Sequence, residues 1–439
     1  MSIYLTIIVL GLLIFLSHVF NELFDRTKIP NVLLLMLIGI IIGPVSGVIT
    51  KDFFGELGSV FTTITLIIIL FESGAGLNFR EVRKAIGSAS LLTVLNFGVT
   101  VVITSFISRL FLPIDLLSSV FVGSIVGGTS SAVVIPMVKQ LKMGEKSSSV
   151  LILESALSDV LCLVAGLALL DGLAEGALSV RLVLTQMGKS FLFAIVLGLL
   201  SGFIWSALIS QIRSIKNSMF TSLAFVFVLY GLVELMQLNG GIAVLSFGIL
   251  LGNIELFGAS SKVKKIVTFG GSGFNTNERN FFSEIGFVMQ TYFFVYIGIS
   301  LQFGAPMIYA IGLLIVIIII LLRVPATVLL SGKGITKPER AIMSVMTPKG
   351  LVPAVLASLP LQRGMLHGEI ILDLGYSVVL FSIVICSGLV ILLSIKPDFF
   401  ARMFRRKPEH SKDSEPVTLD PSAPDVLPVT DTTLSSEEK

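Results

Sequence analysis

Three carboxylates sit where a chain of this composition would be expected to carry aliphatic side chains. Glu72 lies inside an apolar run at 57–78, and Glu154 and Asp159 lie inside another at 147–171. Two bases are placed in the same way, Arg323 in the run 307–330 and Lys349 in 338–362. In hydrocarbon each such group costs at least about 2.5 kcal/mol, so residues kept there are functional candidates or members of ion pairs. The run around the two acids reads LILESALSDVLCLV. Helical spacing puts Ser155 and Asp159 on one face, with Ser158 one residue around and Glu154 beneath it. A carboxylate flanked by hydroxyls is a cluster of hard oxygens, suited to a small cation or to a proton in its place. Read structurally instead, Glu154 and Arg323 would be an ion pair joining two helices, and the serines would be small residues at a helix contact.

The elements that must hold these groups are helices. Of the 439 residues 54% are apolar and only 13% charged, and the mean hydropathy is +0.97. A soluble enzyme is excluded by that balance, and a polytopic membrane protein is indicated. The apolar runs are continuous, not alternating, so the spans are helical and not barrel strands. Thirteen runs are counted. Alternate connections then carry 24 of the 31 Lys and Arg, among them Arg80, Arg83 and Lys84, and Lys139, Lys142 and Lys146, against five on the other side. That asymmetry predicts a cytoplasmic C-terminus and an external N-terminus in a plasma membrane. Residues 1–396 form the transmembrane part. Residues 397–439, rich in Pro, Ser, Thr, Asp and Glu, are expected to be a disordered cytoplasmic tail.

Nothing in the sequence suggests chemistry on a covalent bond. No Walker A, HExxH, CxxC or nucleophile-elbow motif occurs in context, and the Gly-rich stretch 270–280 reads as a connector. Cys162 and Cys386 lie in apolar runs as small hydrophobes, and His18, His367 and His410 have no ligand spacing. No cofactor is expected. A formal charge of +3 without a basic stripe gives no case for nucleic acid.

Two spans carry helix breakers at mid-depth. The fifth contains GSIVGGTSSAVVIP (123–136), with Thr129, Ser130 and Ser131 after a pair of glycines. The twelfth contains SVMTPKGLVPA (344–354), with Pro348, Gly350 and Pro353 around Lys349. Interrupted helices at matching positions of two halves mark an inverted-repeat transporter. Spans 1–6 and 8–13 would be the repeats. The broken ends expose carbonyls that can bind a cation, and Lys349 would offset the negative half-helix ends.

These residues resemble the monovalent cation:proton antiporter superfamily, and the NhaP-type sodium/proton antiporters in particular, over about residues 2–395. The likeness rests on IPNVLLLMLIGIIIGP (29–44), LFESGAGLNF (70–79), GGTSSAVV, ESALSD, YFFVYIGISL (292–301), Arg323-Val-Pro325 and PKGLVPA, in that order. It implies a homodimer whose core of two crossed, interrupted helices moves like an elevator. It implies that Asp159 binds cation or proton, that Thr129, Ser155 and Glu72 match positions near the ion site, and that Glu154 and Arg323 match a structural ion pair. The chain departs from the family pattern at three places. Ser130 stands where the family has Asp, Ser158 where it has Asn or Asp, and Lys349 where it usually has Arg.

The expected function is therefore exchange of Na+, or Li+, for H+ across the bilayer by alternating access, on one shared carboxylate. The alternatives are K+/H+ exchange by the same machine, and an ion channel or ion-sensing membrane protein. A channel would want a continuous polar pore, whereas the polar residues here form one compact cluster.

Overall fold

The computed structural model describes residues 3–27, 29–49, 55–76, 88–174, 180–212, 218–254, 276–301, 303, 305–330 and 335–395. All regular structure among them is helical, in fifteen α-helices and one short π-helical turn. In chain order these are α1 (Ile3–Thr27), α2 (Asn31–Ile40), α3 (Gly55–Gly76), α4 (Ser88–Phe111), α5 (Leu116–Ile125), α6 (Ser131–Gln140), α7 (Glu145–Ala174) and α8 (Val180–Ile212). They continue with α9 (Ser218–Leu235), α10 (Gly240–Gly252), α11 (Thr276–Ser300), α12 (Pro306–Leu330), α13 (Lys337–Val345), α14 (Leu351–Gln362) and α15 (Gly368–Ile395). Taking α5 with α6, and α13 with α14, groups the fifteen into thirteen segments. Five of the described helices are long and apolar enough to cross a membrane, and eight shorter helices are apolar over 10–17 residues. The tail 397–439 lies outside the described residues, as do 270–275 of the Gly-rich stretch, and α11 already runs from 276.

The helices pack as two groups. In one, α3 and α10 lie together, α8 and α9 join α10, and α11 packs on α2. In the other, α4 packs on α5, α7 and α12, and α15 packs on α12 and α14. Helix α7 belongs to the second group and also touches α3 and α8. Its long buried face runs past both interrupted segments, and this brings its polar residues to them.

Local chemistry explains where the helices begin. Asp115 caps α5, accepting from the N–H of Leu117 at 3.0 Å and of Ser118 at 3.2 Å. Asn239 caps α10 through the N–H of Ile242. At α13, Thr336 and Glu339 form a reciprocal capping box. The same Glu339 carboxylate also accepts from the Gly144 N–H at 2.7 Å and the Ser147 hydroxyl at 2.8 Å. One side chain thus ties the start of α13 to the turn between α6 and α7, and so joins the two interrupted segments at one end.

Candidate functional site: a crossing of two broken helices beside Asp159

Helix α5 ends at Ile125, and residues 126–130 leave helical geometry before α6 begins at Ser131. Adjacent glycines, Gly127 and Gly128, are poor helix formers. Gly128 is also needed for space, since a Cβ there would meet the Cys162 sulfur and the Ser158 carbonyl of α7. Helix α13 ends at Val345, and α14 begins at Leu351. Pro348 denies a donor and pushes Thr347 out of helical geometry. Pro353 falls in the first turn of α14, where a missing N–H costs nothing.

The two breaks hold each other. The Ser130 N–H donates to the Pro348 carbonyl at 2.8 Å. The Lys349 ammonium donates to the Gly128 carbonyl at 2.7 Å, and the Lys349 N–H donates to the Ser382 hydroxyl of α15 at 2.9 Å. Gly350 lies directly against the Ser130 side chain, so a Cβ would not fit there. Lys349 is 2% exposed. Its cation therefore sits at a carbonyl of the first break.

Helix α7 meets the first break. The Thr129 N–H donates to the Ser158 hydroxyl at 2.9 Å, and that hydroxyl donates onward to the Ser155 carbonyl at 3.1 Å. The Ser155 hydroxyl donates to the Ile152 carbonyl at 2.9 Å. Asp159 receives two bonds on its Oδ2, from the Ser131 hydroxyl at 2.7 Å and the Ser131 N–H at 3.2 Å. Asp159, Ser130, Ser131 and Glu72 line a common cavity of about 510 Å³. It extends to Pro30 and Asn31 at the start of α2 and to Gly76 at the end of α3. Glu72 reaches this cavity from α3 and packs against Gly286 of α11.

Glu154 lies elsewhere. Its carboxylate takes the Arg323 guanidinium in a two-pronged pair, with Nη2 to Oε2 at 2.7 Å, and accepts from the Asn96 amide at 2.9 Å. Arg323 Nε donates to the Met343 carbonyl at 3.1 Å. This network binds α7 to α4, α12 and α13. Thr129, Ser158, Glu154, Arg323 and Lys349 border a separate cavity of about 10 Å³, room for about one water.

The residues expected from sequence thus divide. Asp159, Glu72 and Ser130 share the large cavity, Thr129, Ser158 and Lys349 build the crossing, and Ser155 is fully buried beneath it. Two contributors carry no distinguishing signal in the sequence: Ser131 is one serine of a polar cluster, and Asn96 is a lone amide in an apolar helix.

The arrangement defines a membrane-embedded helical bundle with an acid at the crossing of two interrupted segments. The family model described as "Sodium/hydrogen exchanger, transmembrane" matches residues 10–395. The chain belongs to this family. It is 26% identical over 368 residues to the Na(+)/H(+) antiporter 1 of Methanocaldococcus jannaschii, covering 79% of this chain and 81% of that one. It is 24% identical over 385 residues to the K(+)/H(+) antiporter NhaP2 of Shewanella sp. (strain ANA-3), covering 85% of this chain and 64% of that one. The chain therefore spans about two-thirds or less of the length of its Shewanella relatives. Its fold resembles the structure of the sodium proton antiporter MjNhaP1 from Methanocaldococcus jannaschii at pH 8, with a TM-score of 0.67 and 23% identity over 92% of this chain and all of the other.

Proposed function

We propose that the chain is a secondary transporter that exchanges a monovalent cation, Na+ or Li+ foremost, for H+. The observation that carries this reading is Asp159. It is a carboxylate at the helix crossing, lining a large cavity, whose hydrogen bonds among the described residues both come from the neutral donors of Ser131. One carboxylate cannot hold a cation and a proton together. Protons at high concentration on one face displace the cation there, and the reverse happens on the other face. Alternating exposure of Asp159 then couples the two flows. Glu72 adds a second acid along the way in.

The charge asymmetry of the loops supports a cytoplasmic C-terminus, an external N-terminus and thirteen crossings of a plasma membrane. On that orientation the cavity lies toward the cytoplasm, because the start of α2 and the end of α3 adjoin the basic segments holding Arg26, Lys28, Arg80 and Arg83. A homodimer with a moving core fits the two helix groups. Residues 397–439 are read as a tail that exchange does not need.

Potassium is the second reading. Its support is the neutral Ser130 and Ser158 near Asp159 and the name of the Shewanella relatives, against which stands the sodium name of the Methanocaldococcus relative. The deciding experiment is exchange in proteoliposomes under an imposed pH gradient, with Na+, Li+ and K+ offered separately. Proton movement with Na+ or Li+ and little with K+ is expected. Movement with K+ alone selects the second reading, and none with any cation overturns both.

A further inference from the structure

Helix α6 aims both donors of its first residue at one carboxylate oxygen. The N–H of Ser131 belongs to the first turn, where it has no intrahelical acceptor. It goes instead to Asp159 Oδ2, and the hydroxyl of the same residue goes there too. Oδ1 of Asp159 takes no hydrogen bond among the described residues.

The other hydroxyls near Asp159 are differently placed. Ser158 both donates to Ser155 and accepts from Thr129. Ser155 is fully buried and donates within its own helix. Ser130 is pinned by its N–H to Pro348 and by its side chain against Gly350. Ser130 and Ser131 both line the cavity, but of these four serines Ser131 is the one whose hydroxyl bonds the acid directly among the described residues.

An alkali cation is held by oxygen lone pairs, and a group that only donates repels it. Of the two donors on Oδ2, the N–H cannot change character, but a hydroxyl can, because it carries two lone pairs and turns about its C–O bond. We propose that Ser131 is a further, specificity-determining ligand of the exchanged cation. Without a cation its hydroxyl donates to Asp159. When a cation reaches the carboxylate, the hydroxyl turns and Oγ becomes a ligand, while the N–H keeps the carboxylate in place. This rests on the reading above that Asp159 binds the cation.

The first turn of α6 fixes where that oxygen stands. A smaller ion holds its ligands closer and gains more from each, as the inverse dependence on distance requires. Losing Oγ should therefore penalise Li+ and Na+ more than K+. A proton on Asp159 needs no such ligand.

The test is cation exchange in proteoliposomes by the full chain carrying Ser131→Ala, Ser131→Val or Ser131→Thr, beside wild type and Asp159→Asn. Valine and threonine have nearly the same shape, so that pair isolates the hydroxyl and serves if the alanine variant does not fold. The expected result is an apparent KM for Na+ raised about tenfold in the alanine and valine variants, the scale of one lost ligand to a charged group. Their maximal rate should change little, their preference should move toward K+, and threonine should restore both KM and preference. Wild-type KM and preference in the alanine or valine variant would overturn the proposal, as would a threonine variant as impaired as valine. A wild-type protein that moves no cation would instead overturn the function on which the proposal rests.

Discussion

Glu154 and Asp159 stand five residues apart on α7, about 140° around it, and both are buried, at 1% and 8% exposure. Burial does not distinguish them. Their partners do. Glu154 gives both oxygens to a guanidinium and accepts an amide besides. Its charge is matched, and any departing proton or arriving cation would have to break that network. Asp159 has two neutral donors on one oxygen and a cavity beside it. An ionised carboxylate held this way keeps one oxygen without a hydrogen bond among the described residues, and a cation or a proton can take it. The buried acid with unfilled bonding capacity is the one suited to exchange, and the saturated one is suited to hold helices together.

Asp159→Asn probes the contrast most severely. The amide is nearly the same size but cannot take up or release a proton at any working pH. Exchange should fall to the level of protein-free liposomes. The melting temperature should stay within about 3 °C of wild type, because a neutral side chain costs no more to bury. Wild-type-like exchange in this variant would remove the distinction between the two acids.

Glu154→Gln and Arg323→Ala should show the reverse pattern, a stability defect in place of a specific loss of exchange. Breaking a buried pair leaves the partner's charge uncompensated and costs about 3–5 kcal/mol. Either single change should therefore lower thermal stability and yield. The double change should fall short of the sum by about 0.5–3 kcal/mol, the coupling expected of residues in contact. Strictly additive losses, read from melting curves of the four proteins, would mean that the pair contributes nothing as a pair.

Much of this contrast is legible in the sequence. Continuous apolar runs can only be helices in lipid, and an acid inside one of them is too costly to be incidental. The breaks were legible from Gly127-Gly128 and from Pro348 and Pro353, since each disrupts a helix by a local rule. That buried charges would pair is legible, but with three acids and two bases inside the spans the choice of Glu154 with Arg323 comes from the family resemblance. What was not legible depends on how the breaks cross. Thr129, Ser130 and Ser131 are consecutive hydroxyls in a segment without helical period, so no spacing rule says which one meets Asp159. The fold turns Ser130 toward Gly350 and leaves Ser131 for the acid. Ser158 looked like a neighbour of the acid in sequence, but its hydroxyl is spent on the Thr129 backbone. Asn96 gave no signal because one amide in an apolar helix has many uses.

The smallest effect expected is no effect at all, and it concerns voltage. Glu154 and Arg323 cancel as a locked pair. Ser130 and Ser158 are neutral where the family pattern has polar or acidic groups. Lys349 donates to the Gly128 carbonyl, where its positive charge offsets the negative end of α5. Asp159 is then the group that releases one proton for each cation it binds, and the carrier has the same net charge in both loaded states. One-for-one exchange moves no net charge and should ignore membrane potential. Glu72 and Lys349 are the challenges, because Glu72 lines the same cavity and offers a second carboxylate, and Lys349 is a buried base that could carry a proton instead. The measurement is Na+ uptake into liposomes at equal pH on both sides, with a potassium–valinomycin potential imposed. Uptake should match that at zero potential. Uptake driven by the potential alone, and absent from protein-free liposomes, would mean that a second group titrates in the cycle. Glu72→Gln and Lys349→Gln would then separate the two sources, since only the variant lacking the second proton carrier should return to voltage independence.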